Sequence, residues 1–287
     1  MKRFKNKKMI SLIIVVTILA LIIVWFLIPY SPTKSKFACD VEKTKSTNRI
    51  DTDRLFEQSD FEMLPMPIQK YIEGCGYIGT HQMSYMCMKY NDVDFKQGRS
   101  GPSLTIDYTQ YNFVSKPARM ALIESSMFGI PFEGYDYYSD GTGGMKGVIA
   151  KVITLFNQTG TDMDKACLAT FLAECLFEPS VLLQDYITFE EIDDYHVRAT
   201  ISYGGQTASG VFTFNDNYEY ISFTTNDRAV SNSDGTMEYI PWTAECSNYQ
   251  ISDSGIKYPT NFSAIWNYTD GDFIYFDGVI SSVSYDK

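Results

Sequence analysis

Histidine is almost missing from this chain: 287 residues hold only His81 and His196. Each sits among strand-like neighbours without a supporting motif, so a zinc centre or a histidine-activated nucleophile lacks its usual parts. No Gly-Lys-Ser/Thr step follows a glycine-rich turn, which removes the phosphate cradle of nucleotide-binding loops. No metal and no cofactor is expected. Positive charge is also scarce beyond the N-terminus. Residues 29–287 set 19 Lys and Arg against all 35 Asp and Glu, a formal charge of −16. Such a surface repels phosphate backbones, so nucleic acid is excluded as a partner.

Charge of either sign is absent from Met9 to Ile28, whose only polar side chains are Ser11 and Thr17. Twenty such residues at ~1.5 Å rise each match a hydrocarbon core of ~30 Å. Lys2, Arg3, Lys5, Lys7 and Lys8 precede the run without an acid. That asymmetry predicts a cytoplasmic tail (1–8), a single membrane span (9–28) and an extracytoplasmic remainder. The run is longer than a secretory core of ~7–15 residues and meets Pro29-Tyr30-Ser31-Pro32 instead of a small-x-small cleavage site, so retention is expected. Cys39 follows Lys36-Phe37-Ala38, which is not a lipoprotein pattern.

What the chain does have is aromatic: 21 Tyr and 19 Phe favour pleated, half-buried surfaces. Residues 29–54 read as a tether, with Lys, Thr, Ser and Asn dominating Ser31 to Ile50. From residue 55 to the end a single β-rich domain is expected. Leu55, Phe56, Met63, Leu64, Ile68, Tyr71 and Ile72 recur at helical spacing, broken by Pro65 and Pro67, and predict two short helices ending at Gly74. After Gly79 the period falls to two. Strands are predicted around 83–88, 104–108, 120–122, 132–138 and 146–156, and a turn at Asp140-Gly141 suits the positive φ of a hairpin. Met163 to Phe177 is apolar nearly all round and stops at Pro179, which predicts a buried helix with a second short one at 180–185. Strands resume at 195–203, 211–214, 218–225, 237–249, 257–268 and 273–284, with Asp234-Gly235 among the turns. The sheet is expected to grow by meander and not by crossover. The fold class is therefore α+β: a large curved antiparallel sheet, half-barrel-like, wrapping a central apolar helical hairpin.

Six cysteines on an oxidising side could pair. Cys167 and Cys175 are ~12 Å apart along one helix and cannot bridge. Cys75 with Cys87 is the more plausible pair, against the alternative that most are small buried hydrophobes.

Four motifs resemble a bacterial family known only as a domain of unknown function. They are Leu64-Pro65-Met66-Pro67-Ile68-Gln69-Lys70-Tyr71-Ile72; Asp136-x-Tyr138-x-Asp140-Gly141-x-Gly143-x-Met145; Leu168-x-x-x-Leu172-Ala173-Glu174-x-x-Phe177-x-Pro179-x-x-Leu182-Leu183; and Pro241-Trp242 with Tyr249. The likeness covers roughly residues 60–285 and departs from the family at Phe177, where many members carry Trp. It implies a membrane-anchored external protein with an outline similar to the half-open barrels of lipoprotein carriers, and it implies no activity.

Glu174 stands out because a carboxylate in an enclosed helix must be paired, hydrogen-bonded or protonated. It reads either as an acid in a pocket or as a structural carboxylate bonded to a Tyr, a backbone amide or Arg228. A calcium loop from Asp136 fails at its third and twelfth positions, Tyr138 and Gly147. Glu190, Glu191, Asp193 and Asp194 read as a solvated strand entrance. The leading reading is a non-catalytic domain that takes an apolar or amphipathic, lipid-like ligand between the sheet and the 163–185 helices. Its candidate contacts are Glu174, Phe171, Tyr138, Trp242 and Trp266. The alternatives are a hydrolase-type enzyme with Glu174 as general acid or base, and an envelope interaction or sensing module. Nothing in the sequence sets the oligomeric state.

Overall fold

The structure is a computed structural model and describes residues 2–99, 101, 103–231 and 236–286. The expected turn at Asp234-Gly235 lies outside them. The apolar N-terminal run forms α1 (Lys2–Leu27), and none of its most apolar window is covered by the rest of the chain.

The tether is replaced by a second helix, α2 (Pro32–Thr47). Ser31, in extended conformation, accepts a hydrogen bond from the Lys34 amide at 3.0 Å, and Pro32 occupies the first turn, where its missing N–H costs nothing. Phe37 and Val41, one turn apart, are buried on the outer face of the sheet against Tyr111, Tyr135, Met120 and Leu122. Burial of two such side chains contributes about 1.5–3 kcal/mol each. Lys45 lies over the rings of Tyr85 and Tyr111 at 5.1 and 4.8 Å. The polar composition concealed a helix whose few apolar residues share one face.

A 3-10 turn (Gln58–Phe61) and α3 (Met66–Gly74) match the two short helices expected, and Phe61, Ile68, Tyr71 and Ile72 join the main core. Then β1 (Tyr85–Lys96), β2 (Ser103–Phe113), β3 (Ala118–Met127), β4 (Ile130–Ser139), β5 (Thr142–Ile149) and β6 (Ile153–Thr159) form one meander. The predicted single strand over 146–156 is two strands, because Ala150 and Lys151 adopt φ of 53° and 69° and turn the chain. Helix α4 (Thr161–Glu174) follows, continued by 3-10 turns at Cys175–Phe177 and Pro179–Leu183. A second meander runs through β7 (Ile187–Asp193), β8 (His196–Tyr203), β9 (Gln206–Phe214) and β10 (Tyr220–Thr225). It continues, past a small ribbon of β11 (Ala229–Ser231) and β12 (Met237–Tyr239), into β13 (Trp242–Ile251), β14 (Lys257–Tyr268) and β15 (Gly271–Tyr285). Pro241 separates β12 from β13, where one strand was expected.

All the strands except β11 and β12 make one open antiparallel sheet of thirteen, ordered β6-β5-β4-β3-β2-β1-β15-β14-β13-β10-β9-β8-β7. Pairing of β1 with β15 joins the two meanders at the centre. The edges are consecutive in the chain, so α4 crosses from one edge to the other, which corrects the expectation of a meander throughout. Ala166 to Glu174 of α4 are all buried. The α+β architecture, with an antiparallel sheet curved around an apolar helix, is as expected.

All six cysteines are free thiols, Cys39 exposed and the others buried. Cys75 packs in the main core, whereas Cys87 alternates with the inward Met86 and Met88 and so stands on the opposite face. That opposition prevents the Cys75–Cys87 bridge.

The β4–β5 and β8–β9 turns, from opposite halves of the sheet, touch backbone to backbone. A Cβ added to Gly141 would stand 2.7 Å from the Gly204 Cα, and both glycines have positive φ, 81° and 60°. We expect Gly204→Ala to part these turns, cost ~1–3 kcal/mol by overpacking, lower the thermal midpoint and speed thiol labelling of the buried Cys167 beneath them. An unchanged midpoint and labelling rate would mean that the contact contributes nothing to closure.

Candidate functional site: a buried charge network under α4

Alternation on β2 turns Tyr108, Gln110 and Asn112 inward, and register places Arg119 of β3 opposite Asn112 and Asp136 of β4 opposite Ala121. The last turn of α4 brings Glu174 into their midst. Its Oε2 accepts from Gln110 Nε2 at 2.7 Å, Asn112 Nδ2 at 3.0 Å and Arg119 Nε at 2.9 Å. Arg119 donates its remaining nitrogens to Asp136 at 2.6 Å, to the Tyr108 hydroxyl at 2.5 Å and to Gln110 Oε1 at 3.1 Å. Arg119 and Glu174 are 4% and 5% exposed. Burial works against the guanidinium charge, but the oxygens of Glu174, Tyr108 and Asp136 more than restore it and hold Arg119 above its usual value. Burial pushes the Tyr108 phenol up.

Glu174 is thus a salt-bridged carboxylate, and its cation is Arg119 instead of Arg228. Sequence reasoning missed Arg119, Gln110 and Asn112, and weighed Asp136 only as a calcium ligand. The available signal was two amides at inward strand positions and an arginine opening the apolar run Met120 to Ile123.

Arg228 lies elsewhere, its guanidinium 4.7 Å from the Trp242 ring, 4.9 Å from Trp266 and 5.7 Å from Tyr275. Its Nε donates to Thr170 of α4 at 3.0 Å, and Trp242 Nε1 donates to the Tyr275 hydroxyl at 3.1 Å. The two tryptophans therefore enclose an arginine. Phe171 is fully buried, its ring edge-on to Tyr186. Tyr138 is also fully buried, its hydroxyl without a hydrogen-bond partner among the described residues. The five candidate residues share the interior, Glu174 in the Arg119 network and Trp242 and Trp266 around Arg228. Between sheet and helix lie Leu168, Phe171, Leu172, Leu176 and Phe177, each 0–1% exposed. Two hollows do open on the surface. One, of about 290 Å³, lies between α2 and β3–β5 and is lined by Lys36, Asp40, Lys43, Lys116 and Tyr135 among others; the second, of about 310 Å³, lies over β2 and β3.

One further group was not foreseen. Glu178, between the 3-10 turns after α4, is 1% exposed, and no side chain among the described residues bonds to its carboxyl oxygens, which only the Met86 amide approaches. Burial pushes its pKa well above the usual carboxylate value, Asp286 and Glu174 add to the rise, and the Met86 amide opposes it. Burial therefore favours the protonated form of this carboxyl, which can donate as well as accept, beside the apolar packing of α4.

His81 bonds to the Thr52 carbonyl and His196 to Asp193, both exposed. Glu190, Glu191, Asp193 and Asp194 are solvated, with Glu191 accepting the Met66 amide at 3.0 Å. Among the described residues no three His, Cys, Asp or Glu side chains gather as metal ligands.

An open antiparallel, half-barrel-like sheet curved over a buried helix, with a buried charge network at the helix end, defines the class. By its match over residues 54–278 the chain belongs to DUF6544, a family of unknown function. A search of curated proteins returned no match. Similar solved structures include two of low identity. One is a domain described as an outer membrane lipoprotein-sorting protein from Vibrio parahaemolyticus (8% identity, 71% of this chain and 86% of that chain, TM-score 0.40). The other is a DUF1329 family protein from Desulfovibrio piger (12% identity, 81% and 94%, TM-score 0.41).

Two outcomes are expected in detergent-solubilised full chain. Arg119→Met or Glu174→Leu alone should cost ~3–5 kcal/mol, and the double substitution should recover part of that loss, because it is the unpaired buried charge that is expensive; additive losses in chemical denaturation would contradict the pairing. For Glu178, the folded pKa lies above the unfolded one, so folding binds a proton and stability falls as pH rises from the usual carboxylate value, 4.5, towards the folded value. Glu178→Gln should remove that fall and raise the thermal midpoint more at pH 7 than at pH 4, ~1–3 kcal/mol being the scale of an unsatisfied buried polar group. A pH-independent effect would disprove it.

Proposed function

We propose that this chain is a non-catalytic, membrane-anchored extracytoplasmic domain that holds an apolar or amphipathic, lipid-like molecule between its sheet and the α4 segment. In this reading α1 spans the membrane with the basic N-terminus inside, as its charge asymmetry favours. The observation that carries the binding reading is Glu178: an enclosed carboxyl held well above the usual carboxylate value, without a side-chain partner among the described residues, beside the apolar packing of α4. A polar head group that donates to or accepts from that acid, with its chain lying along Leu172, Leu176 and Phe177, would satisfy both.

In this reading the conformation is a closed one, in which the apolar α4 side chains take the place of the ligand. Entry requires the helix and its 3-10 continuation to move away from the sheet. That movement is eased by two features: the edge strands β6 and β7 are not paired with each other, and the glycine contact at the β4–β5 and β8–β9 turns joins the halves without a strand ladder. Glu174 does not serve as an acid or base in this reading; its bond to Arg119 sets how deeply α4 sits.

Binding is tested with full chain extracted from membranes in mild detergent, by mass spectrometry of co-purifying amphiphiles and by titration with a fluorescent long-chain alcohol. Saturable binding by the wild type, lost in Glu178→Leu while thermal stability is kept or raised, is the expected result. Absence of both a co-purifying species and probe binding would refute the proposal.

A further inference from the structure

Two hairpin turns next to the end of α1 are apolar, exposed and without acid. In the β3–β4 turn Phe128 and Gly129 both have positive φ, 53° and 78°, and Phe128 projects fully into solvent with Ile130 exposed beside it. In the β5–β6 turn and the strand after it, Val152, Ile153 and Leu155 are 63%, 57% and 52% exposed. The turns are neighbours: the Ala150 amide donates to the Pro131 carbonyl at 2.8 Å. No Asp or Glu falls between Glu124 and Glu133 or between Asp140 and Asp162, in a domain whose formal charge is −16.

The same β5–β6 turn grips the end of α1. Lys151, 4% exposed, donates to the carbonyls of Trp25 at 2.9 Å, Tyr30 at 3.3 Å and Ile28, and lies over the Trp25 ring at 5.5 Å. Trp25 Nε1 donates to the Ala150 carbonyl at 3.2 Å. A cation on the orphan carbonyls of a helix C-terminus is favourable in both hydrogen bonding and dipole. The grip lies at Trp25 to Tyr30, where the apolar run ends. There hydrocarbon gives way to head groups, the level that Trp and Tyr prefer.

We propose that the β3–β4 and β5–β6 turns form a docking surface for the bilayer that α1 crosses, inserting Phe128, Ile130, Val152 and Ile153 among the head groups and fixing the domain's orientation on the membrane. This rests on the reading of α1 as a membrane span. The Lys151 joint couples helix and turns directly, so the surface is presented at the correct depth without a flexible link.

The test uses full chain in phosphatidylcholine/phosphatidylglycerol vesicles carrying spin-labelled phosphatidylcholine. In a Cys39→Ser background, an environment-sensitive fluorophore is placed by Phe128→Cys or Val152→Cys on the surface, by Leu19→Cys within α1, and by Ser254→Cys at the exposed β13–β14 turn. Expected are blue-shifted emission and severalfold stronger quenching by shallow spin labels at positions 128 and 152 than at 254, with position 19 quenched by deep labels. Water-like, unquenched probes at 128 and 152 with position 19 quenched would overturn docking and leave the anchor standing. An unquenched position 19 would remove the anchor and docking together. Blue-shifted probes at 128 and 152 that lipid labels do not quench, but that transfer energy between copies, would assign the surface to a second copy of the chain and overturn the proposal.

Discussion

Arg119 is the constraint that organises the inside of this molecule. A guanidinium almost removed from water costs several kcal/mol unless its nitrogens are answered by oxygens. Here they are answered from three directions, by Glu174 on α4, Asp136 on β4 and Tyr108 and Gln110 on β2. Apolar burial alone would let an all-round apolar helix slide or rotate at little cost, since one greasy face is much like another. The directional bonds to Glu174 remove that freedom and set both the depth and the rotation of α4 against the first meander.

The second meander is tied to the same helix by other means. Arg228 reaches Thr170 from a cage of Trp242, Trp266 and Tyr275, and Lys165 pairs with Asp227 at 2.6 Å. The Tyr220 hydroxyl donates to the Ala173 carbonyl at 3.0 Å near the end of α4. Each half of the sheet therefore holds α4 through its own polar contacts, while the halves meet each other at the β1–β15 ladder and at a pair of glycines. Such a half-barrel has its β1–β15 ladder at the back and a front without a strand ladder.

On the outer side, α2 continues from the apolar helix almost at once and folds back on the sheet. Asp40 accepts from the Tyr135 hydroxyl at 2.7 Å, Lys34 pairs with Glu124, and Asn48 donates to the Lys116 carbonyl at 2.7 Å. With Lys151 gripping the end of α1, the domain is seated directly on its N-terminal helix. A tether would let the domain tumble; this arrangement gives it one face towards the end of α1.

The sequence by itself determined α1, the two-residue strand periodicity, the Asp140-Gly141 hairpin and the burial of α4, because each depends on neighbours a few positions away. It also marked Glu174 as a residue needing a partner. Only the tertiary structure decided that the partner is Arg119, that Arg228 belongs to the tryptophans, that Cys75 and Cys87 face opposite ways, and that residues 32–47 form a helix. For the charge network and for α2 the deciding contact joins residues far apart in the chain, 55 positions between Arg119 and Glu174 and 95 between Asp40 and Tyr135. Local propensity carries no record of which distant strand will supply a charge or an aromatic face. That choice follows from the order of strands in the sheet, which is settled when the whole core is buried at once.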